Sequence, residues 1–330
     1  MQVHLPVLLT GAGFTHNFGG FLAEEMWTQI FNHPEVQGDS SLRAEMQRTE
    51  FSFDFEGVYE RVLLDPNRQF SSEMKTACCN AVKSVYKDLD QIIRKSERKP
   101  RLVEFVERFA GAGSYPGYFF TLNQDLFVER CMHFRNTLGL PGLERGERFS
   151  KRFDHPIDEI RITLPSEDKL GRLRDQPSPG PVDLFYVKLH GSTEWDGSDG
   201  SFGPVIARNK TTIIDREPLL KWYHGLFRQV LTVPGNRKLV VIGYGFRDPH
   251  INSTIADACN YHGLRVYVVD PARLEDFRSR LWGNGQWQSI WTKGLAGYYR
   301  WTVGDLFSER DQTGRATITL RALQDLVFGA

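Results

Sequence analysis

The sequence lacks three features that define large classes of protein: long hydrophobic runs, an excess of charge of one sign, and abundant cysteine. The longest apolar run near its start, Val7–Leu9, is far too short to span a membrane, and no secretory signal pattern surrounds it. The 41 basic side chains are balanced by 41 acidic ones, so no overall field attracts nucleic acid or an anionic membrane. We therefore expect a cytoplasmic protein with no membrane attachment and no direct sequence-specific binding of nucleic acid.

Cysteine is scarce and widely spaced. The four cysteines lie at positions 78, 79, 131 and 259, and no C-x-x-C pair occurs. This spacing predicts neither a disulfide framework nor a structural zinc site. Cys78 and Cys79 fall within an apolar helical pattern, where free cysteine behaves as a small hydrophobic residue. We therefore expect no metal ion in this protein.

What the sequence does contain is typical of a globular protein, because 40% of its 330 residues are apolar and 25% are charged. That length fits two domains or one large domain with insertions. Short apolar runs alternate with helical patterns along much of the chain. Strands are predicted over His4 to Thr10, Tyr118 to Leu122, Leu184 to Leu189, Lys238 to Ile242 and Leu264 to Val269. The alternation predicts an α/β fold with a doubly wound, Rossmann-like parallel sheet, which binds ligands beyond the carboxyl ends of its strands.

A polar, helical stretch from about residue 35 to 100 interrupts this alternation, and we interpret it as a helical insertion. It contains one long amphipathic pattern between Ser71 and Lys99. The apolar side chains fall on one face at helical spacing: Met74, Ala77, Cys78, Ala81, Val82, Val85, Leu89 and Ile92. The pattern predicts a helix that covers the core of the α/β fold.

Two further segments depart from the alternation. Residues from about 137 to 183 are rich in glycine, proline and charge, which predicts a loop-rich insertion that could act as a mobile cover. Residues 283–330 begin with a cluster of tryptophan and tyrosine, which is typical of packing or of an oligomer contact. The main domain is therefore assigned to residues 1–282.

Four segments with glycine or short polar residues lie where predicted strands end. The first is the turn Gly11-Ala12-Gly13-Phe14 after the first strand. Glycine allows close backbone approach, and amide groups at a helix N-terminus can bind phosphate. The spacing is G-x-G-x5-G and not the dinucleotide fingerprint G-x-G-x-x-G, so a structural glycine turn is an equally good interpretation.

The second and third segments carry polar side chains that suit chemistry. Thr121-Leu122-Asn123-Gln124-Asp125 leaves its strand with two short polar side chains, which fit a ligand site or the N-cap of a helix predicted over Gln124 to Phe134. Lys188-Leu189-His190-Gly191-Ser192 ends the next strand. There His190 is a candidate general base, with a structural histidine as the alternative interpretation.

The fourth segment is Gly243-Tyr244-Gly245-Phe246-Arg247-Asp248-Pro249-His250-Ile251-Asn252. Its glycines would let the backbone approach a ligand closely. Asp248 is predicted to cap a helix that has Pro249 at its first position.

In this order the four motifs resemble the sirtuin-like family, specifically its prokaryotic NAD-hydrolysing branch. The motifs are G-A-G with a glycine six positions on, then T-x-N-x-D, then K-L-H-G-S, then G-Y-G-F-x-D-x-x-I-N. The resemblance covers roughly residues 3–31, 102–135 and 184–282. It implies a sirtuin-type catalytic domain that binds NAD⁺ within residues 1–282.

The resemblance implies chemical roles for three polar side chains. Asn123 would hold the nicotinamide ribose and the attacking water. Asp125 would bind the nicotinamide carboxamide, and His190 would act as a base near the ribose hydroxyls.

It also implies contacts with the rest of NAD⁺. Gly11-Ala12-Gly13 would lie against the diphosphate. Gly243 and Tyr244 would flank both the diphosphate and the adenosine. Asp270, at the end of a predicted strand, is a candidate for the adenosine ribose. The other candidates for NAD⁺ binding in these motifs are Phe14, Thr121, Gly191, Ser192 and Gly245.

The sequence departs from the deacylating sirtuins in two places. Where those enzymes follow the first glycine motif with I-P-x-F-R, this chain has Gly20-Phe21-Leu22-Ala23-Glu24 and lacks the arginine. They also carry a four-cysteine zinc module after the catalytic histidine, whereas Cys259 is the one cysteine downstream of His190. Both departures disfavour an acyl-lysine groove.

The resemblance therefore implies an NAD⁺ glycohydrolase that uses NAD⁺ as substrate, needs no metal and releases nicotinamide and ADP-ribose. It further implies a gated effector of antiphage defence that depletes cellular NAD. Such an effector would be a homo-oligomer activated by a separate HerA-type ATPase or Argonaute-type protein. The alternatives are an NAD-dependent protein deacylase and a non-catalytic NAD or ADP-ribose sensor, and the joint presence of Asn123 and His190 argues against the sensor.

Overall fold

The computed structural model shows the alternation of strands and helices that the sequence predicts. It describes residues 5–64, 67, 70–96, 100–111, 115–143, 155–175, 182–233, 235, 237–283, 285–307 and 318–329. The strands in these ranges are β1 (Val7–Thr10), β2 (Gly117–Thr121), β3 (Leu138–Gly139), β4 (Ile162–Thr163), β5 (Leu184–Lys188), β6 (Trp195–Asp196), β7 (Lys238–Ile242), β8 (Arg265–Val269) and β9 (Leu295–Tyr299). Strands β4 and β6 pair separately, and the others form one parallel sheet in the order β3-β5-β2-β1-β7-β8-β9.

Helices flank this sheet. Those in the described ranges are α1 (Ala12–His16), α2 (Ala23–Phe31), α3 (Pro34–Gly38), α4 (Ser40–Met46), α5 (Phe55–Tyr59), α6 (Ser72–Arg94), α7 (Pro100–Glu107), α8 (Phe127–Cys131), α9 (Glu167–Asp175), α10 (Lys210–Arg216), α11 (Pro218–Leu231), α12 (Pro249–Tyr261), α13 (Leu274–Trp282), α14 (Val303–Leu306) and α15 (Ile318–Phe328). Short 3₁₀ turns cover Thr49–Phe51, Ile157–Glu159 and Gly285–Trp287, and π turns cover Glu60–Leu64 and Ile290–Gly294. Among the described helices, none combines the length and the apolar character that a membrane span requires.

The central strands are apolar throughout because both faces of the sheet are covered. All four residues of β1 are buried, as are the last four of β7. The chain leaves β1 on one side toward β2 and returns on the other side at β7, so a crevice opens at the carboxyl end of β1. The predicted doubly wound α/β fold is therefore confirmed.

Helix α6 dominates the stretch predicted as a helical insertion. The Ser71 hydroxyl accepts the backbone N–H of Met74 at 3.1 Å and caps the helix. The apolar face is buried as predicted except at its last member, because Ile92 is 42% exposed and Ile93 is fully buried. Val85, Leu89 and Ile93 are spaced by four residues and lie on one face of the helix, so Ile93 and not Ile92 continues the buried face.

The helix predicted over Gln124 to Phe134 is wrong in its extent, since α8 covers only Phe127–Cys131. The Asp125 side chain binds the backbone N–H of Phe127 and holds the preceding residues out of the helix. The segment predicted as loop-rich contains β3, β4 and α9. Its residues 144–154 and 176–181 lie outside the described part of the chain.

The aromatic segment after residue 282 contributes to the core. Strand β9 pairs in parallel with β8 and extends the sheet, and the Tyr298 ring stacks on Phe277 at 5.0 Å between centroids. Helix α15 brings Phe328 against Phe109, also at 5.0 Å. Packing thus accounts for part of this aromatic cluster, although Trp301 is 40% exposed.

Candidate active site

The second and third motifs meet at the carboxyl ends of the neighbouring strands β2 and β5, which run parallel. The side-chain Nε2 of Gln124 donates to the carbonyl oxygen of His190 at 3.3 Å and to that of Val205 at 2.9 Å. Because Gln124 follows Asn123 directly, these bonds fix the position of the segment that carries Asn123 relative to His190.

Thr15, on helix α1, joins the first motif to the second. Its Oγ1 donates to Asp125 Oδ2 at 3.0 Å and accepts from Asn123 Nδ2 at 3.4 Å. The other carboxylate oxygen of Asp125 accepts the backbone N–H of Phe127 at 3.0 Å. Burial raises the pKa of the Asp125 carboxyl, while the Lys188 ammonium acts against that rise. The three polar side chains therefore form one connected group at the end of the sheet.

Two buried ion pairs lie next to this group of polar side chains. Lys188 Nζ lies 3.0 Å from Glu129 Oε1, and both side chains are almost fully buried. Arg130 binds both carboxylate oxygens of Asp90, each at 2.9 Å. The second pair joins α8 to α6, so the helical stretch is tied to the segment that follows Asn123.

Three histidines from different elements form an imidazole cluster, defined by His190, His224 and His250. His190 and His250 share a hydrogen bond of 3.0 Å between their Nε2 atoms. The ring of His224 lies 6.4 Å from that of His190 and 5.3 Å from that of His250, and its Nε2–H donates to the Leu189 carbonyl at 2.9 Å. The histidine of the third motif is therefore not isolated.

Burial keeps the imidazole cluster uncharged. It lowers the pKa of His190 well below 6.5, although the nearby Asp248 carboxylate acts in the opposite direction. Burial also lowers the pKa values of His224 and His250 to about 4. At neutral pH these rings are therefore uncharged, and burial makes the protonated form of each less favourable than in water.

A partly buried ionic cluster lies beside the imidazoles. Lys210 Nζ is 2.6 Å from Glu56 Oε2 and 2.9 Å from Asp248 Oδ1. Burial acts to lower the pKa of Lys210, but the two carboxylates outweigh it and raise that pKa. Burial raises the pKa of Glu56 to about 7. The prediction that Asp248 caps α12 is wrong for its side chain, which makes no capping bond and binds Lys210.

The first glycine motif packs tightly against the fourth. A Cβ atom on Gly11 would lie 2.8 Å from the carbonyl oxygen of Gly243, and one on Gly13 would lie 2.9 Å from its Cα. The N–H of Gly13 also donates to that carbonyl at 2.9 Å. The two glycines therefore have a packing role, and their contact with a diphosphate stays a prediction.

The loop after β7 is held in a strained conformation. Gly243 has a φ of +65° and Phe246 a φ of +53°, which is unfavourable for a residue with a side chain. Asn252 of α12 fixes the loop, because its Nδ2 donates to the Phe246 carbonyl at 3.0 Å and its Oδ1 accepts from the Tyr244 hydroxyl at 2.9 Å. Strain of this kind is common where a backbone is shaped for a ligand.

A family model for SIR2-like domains matches residues 118–289, from β2 to the turn after α13. This match spans more than half of the chain and includes the last three motifs. The chain belongs to the SIR2-like domain family. No curated protein matches it significantly. SIR2-like domains use NAD⁺, so this chain is an NAD-utilising enzyme.

In this SIR2-like protein, several residues predicted to contact NAD⁺ have buried side chains. Tyr244 is buried, and its hydroxyl is used inside the loop. Phe14 packs edge-on against Phe119 at 6.1 Å. The Ser192 hydroxyl donates to Glu194, and both side chains are fully buried. The side chains of these residues are used inside the protein, and their roles in NAD⁺ binding stay predictions.

The remaining predicted residues lie at the same edge of the SIR2-like sheet. Thr121 Oγ1 accepts from Thr10 Oγ1 at 2.8 Å. Gly191 has a φ of +76° and packs on the Gly203 carbonyl. Asp270, at the end of β8, accepts the N–H of Ala272 at 2.7 Å. Ala12 is the first residue of α1, and Gly245 lies in the loop after β7.

Sequence reasoning missed Thr15, His224, His250 and Lys210. Thr15 and His250 lie inside motifs already recognised, so a search for polar side chains around each motif would have found them. His224 and Lys210 lie on helices with no motif of their own, and only the tertiary fold brings them to the SIR2-like site.

Replacing Gly243 by alanine will destabilise the protein and weaken NAD⁺ binding. The new Cβ would lie 2.3 Å from the backbone nitrogen of Phe14 and would hold an unfavourable φ of +65°. Together these effects should cost about 2–4 kcal/mol of unfolding free energy. Thermal unfolding and calorimetric titration with NAD⁺ measure both losses.

Gly225→Ala is the matched control. Gly225 lies within α11 with open space around it, so alanine should stabilise the helix by up to about 1 kcal/mol. Equal stability of the two variants would refute the close packing of the two glycine loops.

Proposed function

We propose that this protein is an NAD⁺ glycohydrolase that cleaves the nicotinamide N-glycosidic bond to give nicotinamide and ADP-ribose. One observation carries the proposal: His190 lies buried at the same sheet edge as Asn123, within a SIR2-like domain. A neutral imidazole can take a proton from a nucleophile, which a protonated one cannot do.

In the proposed reaction the protein must position the ribose, position the attacking water and accept a proton. The bond between the ribose C1′ and the nicotinamide nitrogen breaks through an oxocarbenium-like state, and its electron pair leaves with nicotinamide as a neutral molecule. Water attacks C1′, and its proton passes to His190. Asn123 holds the ribose and the water in line. The leaving group needs no acid, since the nicotinamide ring of NAD⁺ already carries a positive charge.

The proton has an onward route. His190 shares its Nε2 hydrogen bond with His250, which is more exposed. The Asp248 carboxylate nearby favours the protonated form of both rings. His250 is therefore a positioning residue that can accept the proton from the base and pass it toward solvent.

We further propose that the activity is gated and serves antiphage defence by depleting NAD. Contacts of the helical stretch from 35 to 100 support gating. Glu56 binds Lys210 beside the imidazoles, and the Tyr86 hydroxyl donates to Gln124, which itself binds the His190 carbonyl. Movement of these helices would disturb the catalytic edge. The proposed activator is a HerA-type ATPase or an Argonaute-type protein that acts on a homo-oligomer of this chain.

Incubation of the purified protein with NAD⁺, with and without the protein encoded next to it, tests both proposals. Chromatography should show nicotinamide and ADP-ribose, in small amounts from the protein alone and in larger amounts with its activator. Release of O-acetyl-ADP-ribose in the presence of an acetylated peptide would indicate a deacylase. NAD⁺ binding without turnover under both conditions would indicate a sensor.

Light scattering tests the proposed assembly. A homo-oligomer should give a particle larger than the 37.9 kDa chain. A uniform monomer that hydrolyses NAD⁺ at its full rate without a partner would refute the gated oligomer, although the glycohydrolase itself would stand.

A further inference from the structure

Three side chains that commonly bind metals converge beside the proposed base. The Nε2 atoms of His190 and His250 are 3.0 Å apart. With one carboxylate oxygen of Asp248 they form a group in which all three atoms lie within 4.8 Å of one another. The expectation of a metal-free chain rested on cysteine spacing and on the family resemblance, and none of the cysteines belongs to this group.

We propose that His190, His250 and Asp248 bind one divalent transition-metal ion of the Zn²⁺ type. Zinc bonds of about 2.0–2.2 Å place neighbouring tetrahedral ligands about 3.4 Å apart. The two imidazole nitrogens are already close to that spacing, and the carboxylate reaches it with a small side-chain movement. Two imidazoles and one carboxylate select Zn²⁺, Ni²⁺ or Cu²⁺ over Mg²⁺ or Ca²⁺, which prefer oxygen ligands.

The two imidazole rings can bind an ion without a change in their number of protons. In the pair shown, one Nε2–H donates to the other Nε2. When the ion takes the lone pairs of both Nε2 atoms, the donor ring moves its proton from Nε2 to Nδ1. No proton is gained or lost by the pair.

The ion has access and an open coordination position. Asp248 and His250 are partly exposed, while His190 forms the buried end of the group. Lys210 contacts Asp248 Oδ1 at 2.9 Å, but it keeps Glu56 as a second carboxylate partner when Asp248 turns toward the ion. Three protein ligands leave a fourth position for water.

Bound metal would inhibit the enzyme, a consequence that rests on the proposed function. The ion would take the place of the Nε2–Nε2 hydrogen bond between His190 and His250, so the proposed route for the proton from His190 to His250 would be blocked. The metal-free protein is then the active form, and ions of the zinc type act as reversible inhibitors of that form.

Titration of the full chain, free of any histidine tag, with Co²⁺ tests the site directly. Tetrahedral Co²⁺ absorbs visible light, so a 1:1 absorption change is expected together with a rise in melting temperature. His250→Ala should weaken Co²⁺ binding by about 10- to 100-fold or more. Asp248→Asn should weaken it as well. His224→Gln is the matched control, and its affinity should equal that of the unmodified chain.

The outcomes distinguish a failure of the metal site from a failure of the proposed NAD⁺ glycohydrolase activity. Absence of 1:1 binding, or equal binding by His250→Ala and the unmodified chain, would overturn the metal site even if NAD⁺ hydrolysis is strong. Co²⁺ binding that depends on His250 establishes the site even in a protein that does not hydrolyse NAD⁺. Where hydrolysis occurs, Zn²⁺ should suppress it and a chelator should restore it. Full turnover with the site saturated would overturn the inhibitory role.

Discussion

Asn123→Ala will lower NAD⁺ hydrolysis by about 10²- to 10³-fold, which is the usual loss when one preorganised polar group at a reacting centre is removed. Asn123 is 8% exposed at the sheet edge, and its carboxamide makes a long hydrogen bond of 3.4 Å with Thr15. Its loss should therefore cost little stability. Initial rates of nicotinamide release and thermal unfolding, measured on the same preparation, check both expectations.

Asn252→Ala is the matched control for this variant. Asn252 is fully buried and makes two bonds of ordinary length, to Tyr244 and Phe246. Its removal should cost about 1–3 kcal/mol of unfolding free energy, because buried groups lose their partners. Stability should thus fall more in Asn252→Ala, and turnover more in Asn123→Ala. Near-normal turnover by folded Asn123→Ala would refute its proposed role.

His190→Ala will lower hydrolysis by about 10²- to 10⁴-fold, the range that general-base assistance contributes. The reason is its uncharged imidazole ring, which is positioned by the Nε2 contact with His250. NAD⁺ affinity should change far less than the rate, since the base acts on water and not on the bound nucleotide. Single-turnover rates and calorimetric affinities, measured on one preparation, separate the two quantities.

His224→Gln is the control for His190. His224 belongs to the same imidazole cluster, but its Nε2–H donates to the Leu189 carbonyl, a bond that the glutamine amide can also make. This variant should keep most of the activity. If both variants lost activity in proportion to melting temperature, His190 would be a structural core residue and the proposed mechanism would be wrong.

Much of the fold follows from patterns that are local in sequence. The strand predicted over Lys238 to Ile242 is the observed β7, because a continuous apolar run bounded by glycine leaves few alternatives. Asn123 and His190 were identifiable because polar residues directly after buried strands lie at one edge of a parallel sheet. Nothing in such patterns fixes which way a loop side chain points, so the inward turn of Tyr244 was not predictable.

The residues that contact the candidate site from distant positions in the sequence were not predictable, for a different reason. Glu56 and Lys210 are separated by 154 positions, yet they form one ion pair. Neither residue belongs to a motif, and each is an ordinary surface residue by local pattern. A single sequence carries no signal for such a contact. The same holds for His224, which reaches the site only because α11 packs beside β5.

The bridge from Glu56 through Lys210 to Asp248 also bears on how the native state opens. If helix α5 separates from the start of α12, the largely buried Lys210 ammonium loses one of its two carboxylate partners. This loss is costly because little water is present to replace the carboxylate. These distant segments should therefore unfold as one cooperative unit. Backbone amides of α5 and of the first turns of α12 should then exchange with deuterium at a common opening free energy, and Lys210→Met should make their exchange rates diverge.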